Sequence, residues 1–229
     1  MLDKTKIPMC IGVIIDGNRR WAKEKGLPSF EGHRRGYGKV KECAGWAKEV
    51  GVKNLIMYTL STENWNRSKE EVSYLLDLFR TVLKEELDEL VKGNTRVIFA
   101  GELSRFPKDL QKMMRESEEK TKSRTEQTLV IAASYGGRAE IVHAANALLK
   151  KGKSSVSEKD FSQYLWTAGV PDPDLIIRTG GEQRLSNFLP WQSIYSELFF
   201  SPTYWPDFSK EEFFKILEDY QKRSRRMGV

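Results

Sequence analysis

The sequence predicts an α/β domain in which helices surround a mainly parallel central sheet of about six strands. Six short apolar runs, each bounded by turn residues, have the length and β-branched content of buried strands: residues 11–15, 55–60, 97–100, 129–134, 175–177 and 198–200. Helical patterns lie between and after these runs, at residues 36–50, 69–92, 107–121, 139–151, 158–166 and 209–226. Strands that alternate with helices are typical of a parallel sheet covered on both faces. With no internal repeat and no linker, the 229 residues indicate a single domain over residues 1–229.

The composition limits the class of protein more than it limits the ligand. A net charge of +6, from 38 basic and 32 acidic residues, suits phosphate-bearing ligands or an anionic membrane surface without selecting one. Cys10 and Cys43 lie far apart, and His33 and His143 are the two histidines, so neither a zinc framework nor a disulfide scaffold is expected. Without a signal peptide or an apolar run of membrane length, the sequence predicts a soluble, cytoplasmic protein.

The first predicted strand ends in an unusual series of residues, VIIDGNRRWAKEKG at positions 13–26. Asp16 is followed by a Gly-Asn turn and two arginines, and a short helix is then expected to run as far as Gly26. A tight turn before a helix start offers N–H groups and positive charge to an anion. A carboxylate repels such an anion unless a divalent cation lies between them, and Mg²⁺ binds through one or two carboxylates together with substrate phosphates. The alternative is that Asp16 caps the helix and the arginines are solvated.

Polar segments also follow three other predicted strands: STENWNR at 61–67, YGGR at 135–138 and RTGGEQRLSN at 178–187. Ligands of open α/β sheets bind outside the carboxyl ends of the strands, so these segments are expected to converge with the Asp16 loop. Arg178 and Arg184, with Ser186, are predicted to hold one diphosphate through forked hydrogen bonds, and the Asp16 loop a second. Two phosphate sites and one carboxylate for Mg²⁺ indicate that the protein joins two phosphorylated substrates.

Motifs of other phosphate-binding classes are absent from the sequence. The segment GKS at 152–154 lacks the first glycine of a P-loop, because residue 147 is alanine, and it follows a predicted helix. No G-x-G-x-x-G follows the first strand, so a dinucleotide fold is not predicted. Nucleic-acid binding stays as an alternative from a different class, but no helix before the basic end QKRSRRMGV has a sustained basic face interleaved with aromatic residues. That basic end has the pattern of a solvated helix terminus.

The predicted helix over residues 69–92 has apolar residues at three- and four-residue spacing: Val72, Leu75, Leu76, Phe79, Val82, Leu83 and Leu87. A stripe of this kind usually packs against a sheet. It could also form the wall of a channel for a hydrocarbon substrate, and the sequence leaves both alternatives open.

Six motifs in order, covering nearly the whole chain, resemble those of the cis-prenyltransferases of the undecaprenyl diphosphate synthase type: DGNRRWA (16–22), GHRRG (32–36), STENWNR (61–67), YGGR (135–138), IRTGGEQRLSNFLPWQ (177–192) and YSELFF (195–200). The resemblance implies the cis-prenyltransferase fold and a homodimeric, Mg²⁺-dependent enzyme. Its substrates would be isopentenyl diphosphate and an allylic diphosphate such as farnesyl diphosphate. The expected product is a polyprenyl diphosphate near undecaprenyl diphosphate in length, a lipid carrier precursor with new cis double bonds. Contact with a membrane surface is expected when the product leaves, and no nucleic-acid partner is expected.

The resemblance also implies roles for individual residues. Asp16 is expected to bind Mg²⁺ and to be required for catalysis, and Asn64 is expected to take part in proton removal. The allylic diphosphate is expected to contact Gly17, Asn18, Arg19, Arg20, Trp21, Ser29 and His33, although His33 has a buried structural role as its alternative. The loop after the second strand is expected to line the site with Ser61, Thr62, Glu63, Trp65 and Arg67. Isopentenyl diphosphate is expected at Arg178, Arg184, Leu185 and Ser186. Glu197 matches a metal-associated glutamate, and Arg226 and Gly228 match a C-terminal R-x-G element that reaches the site across the dimer.

Three positions depart from the family pattern. Gln183 stands where many bacterial members have a histidine near the metal, so it is not expected to be a ligand. Ser29 replaces a phosphate-binding arginine of many members, and Arg19 replaces a glycine, which predicts that Arg19 supplies the charge missing at Ser29. The alternative is that Arg19 points to solvent and the site binds its primer more weakly. A catalytically inactive partner subunit is the alternative within the same fold, and the complete set of Asp16, Asn64 and Arg178 argues against it.

Overall fold

The computed structural model describes residues 2–153 and 155–223, and within these residues all side chains except those of residues 86, 87 and 91. Its strands form one sheet: β1 (Cys10–Ile14), β2 (Asn54–Ser61), β3 (Thr95–Ala100), β4 (Gln127–Tyr135), β5 (Leu175–Arg178) and β6 (Glu197–Phe200). Their order across the sheet is β3-β4-β2-β1-β5-β6, and every neighbouring pair is parallel. The predicted α/β class with a parallel central sheet is therefore confirmed.

The described helices lie around this sheet: α1 (Asn18–Glu24), α2 (Ser29–Glu49), α3 (Lys69–Lys92), α4 (Lys108–Thr121), α5 (Gly137–Lys150), α6 (Glu158–Ser162) and α7 (Lys210–Lys222). A 3₁₀ turn, Thr62–Asn66, joins β2 to α3. None of the described helices combines the length and the apolar character needed to cross a bilayer.

The central strand β1 is buried at all five of its residues, because both faces of the sheet are covered. Ile11 and Val13 belong to a core formed with α2 and α7, whereas Cys10 and Ile14 belong to a second core that includes Phe188. A strand buried on both faces needs apolar residues at every position rather than at alternate positions. This requirement explains the continuous apolar run from which the strand was predicted.

The largest difference from the prediction is at the start of α2, which begins at Ser29 rather than at residue 36. Gly32 and Gly36 of the GHRRG motif both lie inside the helix. A Cβ on Gly32 would be 2.0 Å from the carbonyl O of Asn18, and one on Gly36 would be 2.3 Å from Asn18 Oδ1. The two glycines therefore allow α1 to pack closely on α2, a requirement that resembles a turn signal in the sequence.

The other differences lie at helix ends. α6 begins with a capping box of Ser157 and Asp160, but it stops at Ser162 rather than at residue 166. α7 ends at Lys222, and the predicted end at residue 226 lies outside the described residues.

Candidate active site

The carboxyl edge of the sheet has an open cavity of about 710 Å³, which we call the polar cavity. It lies between the end of β1, α1, the start of α2 and the loop after β2, and its lining consists of Ile15, Asp16, Gly17, Asn18, Arg19, Arg20, Lys23, Leu27, Pro28, Ser29, His33 and Arg67. Gly17 turns the chain into α1 with a φ of +104°, and a Cβ there would be 2.6 Å from the Tyr204 ring. The turn therefore requires glycine. Trp21, which was expected at the diphosphate, lies outside this lining.

The carboxylate of Asp16 is held by two arginines and one backbone amide. Its Oδ2 is 2.8 Å from Arg178 Nη2, and its Oδ1 is 3.2 Å from Arg20 Nη2. The N–H of Gly17 donates to Oδ1 at 2.6 Å. Gly17 is the N-cap of α1, and no side chain caps this helix. Asp16 therefore does not cap the helix, which was the alternative to metal binding. Because Arg178 is only 4% exposed, the pair connects the loops after β1 and β5 below the surface.

Glu71, which no motif indicated, is a carboxylate on which three residues of the polar cavity converge. Its Oε1 is 2.9 Å from Arg67 Nη1, 3.6 Å from His33 Nε2 and 3.8 Å from Arg19 Nε. Glu71 lies in the first turn of α3 and Arg67 lies just before the helix, four residues earlier, which is the spacing of a helical ion pair. This spacing was the available signal in the sequence. The arrangement holds Arg67 over the cavity, while Arg19, 56% exposed, is free to turn towards a ligand.

His33 is neutral at pH 7 in this environment. Burial, and next the positive charge of Arg67, lower the pKa of His33 to about 4, although Glu71 acts in the opposite direction. Its Nε2 is buried and has no hydrogen-bond partner within residues 2–153 and 155–223. Buried polar atoms normally have a partner, so this nitrogen is available to a ligand in the polar cavity. The structure thus favours the diphosphate role over the purely structural alternative for His33.

Asn64 lies in the 3₁₀ turn after β2, where it stabilises the loop. Its Oδ1 accepts a hydrogen bond from the N–H of Ser61 at 3.0 Å, and the Ser61 side chain accepts one from the backbone of Asn64. A backbone N–H can only donate, so this bond sets the orientation of the amide. The oxygen that would have to accept a proton is therefore already engaged.

Three further residues of this loop support it and lie outside the lining of the polar cavity, so the expectation that they line the site stays a prediction. Thr62 is the first residue of the 3₁₀ turn. Glu63 Oε1 accepts a hydrogen bond from Asn187 Nδ2 at 3.0 Å, which joins this loop to the loop after β5. Trp65 donates its indole N–H to Ser134 Oγ at 2.9 Å and packs into the core. Arg67 is the residue of the loop that lines the cavity as predicted.

The loop after β5 is organised around Arg178. Arg178 Nη1 donates to Ser186 Oγ at 2.8 Å and to the carbonyl O of Arg184. Arg178 Nε is buried and has no partner in the described part of the chain. The guanidinium of Arg184 is 60% exposed and pairs with Glu182, and Leu185 packs on the core. The structure thus joins two members of the predicted diphosphate site, Arg178 and Ser186, whereas Arg184 would have to leave Glu182 to reach the same phosphate.

The YGGR motif after β4 packs against this loop. A Cβ on Gly137 would be 1.9 Å from Pro190 Cδ. The N–H of Gly137 donates to Asn187 O at 2.8 Å, and the N–H of Arg138 donates to Asn187 Oδ1 at 2.9 Å. The glycines therefore permit close contact, and the motif clamps the loop that carries Ser186.

Glu197 and Asp16 lie at opposite ends of the strands of the sheet. In the parallel register it pairs with Leu175 at the amino end of β5, whereas Asp16 follows the carboxyl end of β1. The length of the four-residue strand β5 separates the two ends by about 10 Å. Glu197 instead pairs with Arg223, with its Oε2 2.5 Å from Arg223 Nη1. Glu197 therefore lies away from Asp16 within a single chain, and its association with a metal ion stays a prediction. Two further assigned residues, Arg226 and Gly228, lie outside the described residues.

A magnesium ion fits the donors at Asp16 when a phosphate ligand is also present. Asp16 is the carboxylate of the polar cavity, and no group of three His, Cys, Asp or Glu side chains among the described residues is placed to hold a metal ion. Mg²⁺ usually takes one or two carboxylates and completes its shell with phosphate oxygens and water. One carboxylate beside an anion-binding cavity meets this requirement.

A second cavity of about 540 Å³, which we call the apolar cavity, lies between α2, α3 and one face of the sheet. Of the predicted stripe, Phe79, Val82 and Leu83 line this cavity. Leu75 and Leu76 are outside its lining, and Leu76 packs against the core near Phe79. The side chain of one predicted member of the stripe, Leu87, lies outside the described residues. The long helix therefore packs on the core and also forms one wall of this cavity, and a hydrocarbon channel there stays a prediction.

Comparison with known proteins gives one family. The chain matches the family model described as "Putative undecaprenyl diphosphate synthase" over residues 14–228. An isoprenyl transferase of Thermotoga maritima is 47% identical over 227 residues, which are 97% of each chain. A protein of Micrococcus luteus named "ditrans,polycis-undecaprenyl-diphosphate synthase ((2E,6E)-farnesyl-diphosphate specific)" is 44% identical over 233 residues, 99% of this chain and 94% of that one. The crystal structure of lavandulyl diphosphate synthase from Lavandula x intermedia, in complex with dimethylallyl diphosphate, has a TM-score of 0.93 at 35% identity and covers 98% of this chain and 100% of that one.

Proposed function

The chain belongs to the undecaprenyl diphosphate synthase family of prenyltransferases, and we propose that it lengthens an allylic diphosphate by successive additions of isopentenyl diphosphate. The proposed primer is farnesyl diphosphate, the substrate given in the name of the M. luteus relative. The proposed product is a polyprenyl diphosphate with cis double bonds, near undecaprenyl diphosphate in length.

The proposal rests on the relative position of the two cavities. His33 lines the polar cavity, and Arg34 and Tyr37, further along α2, line the apolar cavity. His33 and Tyr37 are four residues apart in the helix, so they lie on the same face. A ligand with an anionic head and a hydrocarbon tail would therefore meet a cationic cavity at one end and an apolar cavity at the other. An allylic diphosphate has this construction, and a growing polyprenyl chain keeps it.

Each addition breaks the bond between C1 of the allylic chain and its diphosphate. C1 joins the terminal alkene carbon of isopentenyl diphosphate, and isopentenyl diphosphate loses a proton. Holding the two reactants in line supplies much of the rate advantage. Arg19, Arg20 and Arg67, which line the polar cavity, would stabilise the negative charge that grows on the departing diphosphate.

The second diphosphate is assigned to Arg178 and Ser186. Arg178 Nε is a buried donor without a partner in the described residues, which supports the assignment of an anion to this place. Arg184 is exposed beside Glu182 and could exchange that partner for a phosphate oxygen. Asp16, paired with Arg178, lies at the border of the two diphosphate sites. We assign Mg²⁺ to Asp16, where the ion would neutralise part of the charge on the leaving diphosphate.

Asn64 has a positioning role in this proposal. Its Oδ1 is occupied by the N–H of Ser61, and an amide is a weak base in any case. The proton released by isopentenyl diphosphate would instead pass to a diphosphate oxygen. Asn64 would act by holding the loop that places Arg67 over the polar cavity.

A second copy of the chain is part of the proposal. Glu197 and Arg223 lie along β6, the edge strand of the sheet, away from the polar cavity. Ile194 and Tyr195, just before this strand, are 72% and 67% exposed. An exposed apolar segment beside an edge strand is suited to pairing with another chain, and the proposed homodimer forms through this edge. The proposal also places the enzyme in the cytoplasm, with membrane contact when the product leaves.

The direct test is incubation of the purified protein with farnesyl diphosphate, labelled isopentenyl diphosphate and Mg²⁺. Labelled polyprenyl products that butanol extracts are expected, and EDTA in place of Mg²⁺ should abolish them. Asp16→Ala is the matched inactive control. Absence of extractable product with both farnesyl and geranyl diphosphate as primers would refute the enzyme activity. A single short product would show condensation without elongation.

A further inference from the structure

The loop that carries Ser186 has a backbone that needs external restraint. Ser186, Asn187 and Leu189 have φ values of +47°, +66° and +49°, a left-handed conformation that is costly for residues with a Cβ. Such a conformation persists only where the surroundings hold it. Asn187 is held by the N–H groups of Gly137 and Arg138, and Leu189 is fully buried. Ser186 requires a restraint of its own.

The hydroxyl of Tyr58 provides this restraint. Tyr58 lies on β2 and is 8% exposed, and its Oη is 3.3 Å from the carbonyl O of Ser186 and 3.2 Å from that of Tyr135. One O–H is thus shared between the loop and β4. The ring stacks on Phe188 with a centroid distance of 4.8 Å. Burial raises the pKa of Tyr58 well above its usual range, so the hydroxyl stays a donor.

The side chain of Ser186 extends this restraint to the buried arginine. Arg178 Nη1 donates to Ser186 Oγ, and Arg178 Nη2 donates to Asp16 Oδ2, both at 2.8 Å. Together with the bond from Nη1 to the carbonyl O of Arg184, these bonds aim the guanidinium, while its Nε has no partner within the described residues. A shift of Ser186 would remove one of these bonds and turn the donors that an anion needs.

We propose that Tyr58 is a positioning residue for the site of isopentenyl diphosphate, in which its hydroxyl holds the Ser186 carbonyl and so keeps the Ser186 hydroxyl on Arg178. The inference rests on the proposed function for the identity of the ligand. It predicts an effect on one substrate and not the other. Loss of the Tyr58 hydroxyl weakens the binding of isopentenyl diphosphate, while the allylic diphosphate in the polar cavity is bound as before.

Tyr58→Phe tests this proposal because it removes the hydroxyl and keeps the stacking on Phe188. A neutral hydrogen bond corresponds to a change in affinity of about three- to tenfold, so KM for isopentenyl diphosphate is expected to rise by that factor. KM for the allylic diphosphate and the unfolding temperature should stay near the wild-type values. Tyr74→Phe is the matched control, because the Tyr74 hydroxyl also donates to a backbone carbonyl, that of Phe30 at 3.1 Å, away from this loop. An equal rise in both KM values, an unchanged KM for isopentenyl diphosphate, or loss of folded structure in Tyr58→Phe would overturn the proposal.

A double-mutant cycle with Ser186→Ala tests the route of the effect. If Tyr58 acts through the Ser186 hydroxyl, the double variant should have the same KM for isopentenyl diphosphate as Ser186→Ala alone. Effects that multiply independently would overturn the proposal. Calorimetric titration of the same proteins with isopentenyl diphosphate gives the comparison without turnover. A wild type that binds this ligand but forms no product would refute the proposed function and leave the inference about Tyr58 to be decided by the titrations.

Discussion

Asp16 and Arg178 form an ion pair between adjacent strands, with Asp16 Oδ2 at 2.8 Å from Arg178 Nη2. Arg178 is the last residue of β5 and pairs in register with Ile14, the last residue of β1. The parallel pairing thus brings the two side chains together, although 161 residues separate them in the sequence. The pair lies where the polar cavity meets the loop that carries Ser186. Changes to it should therefore affect stability as well as turnover.

Asp16→Ala is expected to abolish turnover and to lower stability, because it leaves Arg178 buried without its carboxylate. The loss of a partner from a buried charged group costs about 1–3 kcal/mol, which lowers Tm by several degrees in a chain of this length. Asp16→Asn should be nearly as inactive but less destabilised, since an amide oxygen can still accept from Arg178. Thermal unfolding and the prenyl transfer assay measure both effects. Near-normal turnover in either variant would contradict a metal-binding role for Asp16.

Arg19→Gly is expected to raise KM for the allylic diphosphate about tenfold or more, since 1.4 kcal/mol corresponds to one decade in affinity. Arg19 and Ser29 both line the polar cavity, and Arg19 has only a long contact of 3.8 Å with Glu71. Adding Ser29→Arg to this variant should recover much of the loss. Steady-state kinetics of the wild type, both single variants and the double variant, at saturating isopentenyl diphosphate, provide the comparison. Strictly additive effects would show that the two positions do not share one phosphate.

His33 is expected to reduce stability as the pH falls from about 6.5 to about 4. Burial and the charge of Arg67 lower its pKa from 6.5 to about 4 in the folded protein. Between these values the unfolded chain binds a proton that the folded chain does not, so the free energy of unfolding rises with pH across the window and levels off above it. His33→Gln should make the curve flatter there. Urea unfolding of both proteins from pH 4 to pH 7.5 measures the difference, and parallel curves would contradict the lowered pKa.

Leu83→Trp is expected to shorten the polyprenyl product, because Leu83 lines the apolar cavity and a larger side chain would fill part of it. Leu76→Trp is the control on the same helix. Leu76 packs on the core outside the cavity lining, so this change should destabilise the fold by about 1–3 kcal/mol without changing the product. Chromatography of the dephosphorylated products gives the chain lengths. Shortening by Leu76→Trp alone would reverse the assignment of the wall.

Gly32→Ala is expected to push α1 away from α2 and to weaken binding of the allylic diphosphate, because its Cβ would be 2.0 Å from the carbonyl O of Asn18. Gly45→Ala makes the same change in the same helix at a place where a Cβ meets nothing within 4 Å. That variant should be more stable by about 1 kcal/mol, the difference in helix propensity. Denaturant unfolding compares the two, and a Gly32→Ala protein as stable as Gly45→Ala would show that the close contact is not required.

The sequence by itself determined the fold class and the edge of the sheet at which the site lies. Continuous apolar runs alternating with amphipathic helices can bury their surface only as a parallel sheet covered on both faces. Parallel strands present their carboxyl ends at one edge, so the positions of Asp16 and Arg178 directly after two such runs were sufficient to bring them together. The start of α2 was misplaced because a glycine needed for close packing and a glycine needed for a turn look alike in a sequence.

Only the tertiary structure decided which side chains face the polar cavity and which hold others in place. Glu71 became the partner of His33 because the start of α3 packs beside α2, a contact between distant segments that no local pattern encodes. The same applies to Tyr58, which lies in a predicted strand and whose hydroxyl donates to the carbonyl O of Ser186 in the loop after β5. Glu197 belongs to a matching motif, yet the strand register places it at the far edge of the sheet. A motif shows which groups lie near a strand end, whereas the direction of each side chain depends on the packing of elements far apart in the chain.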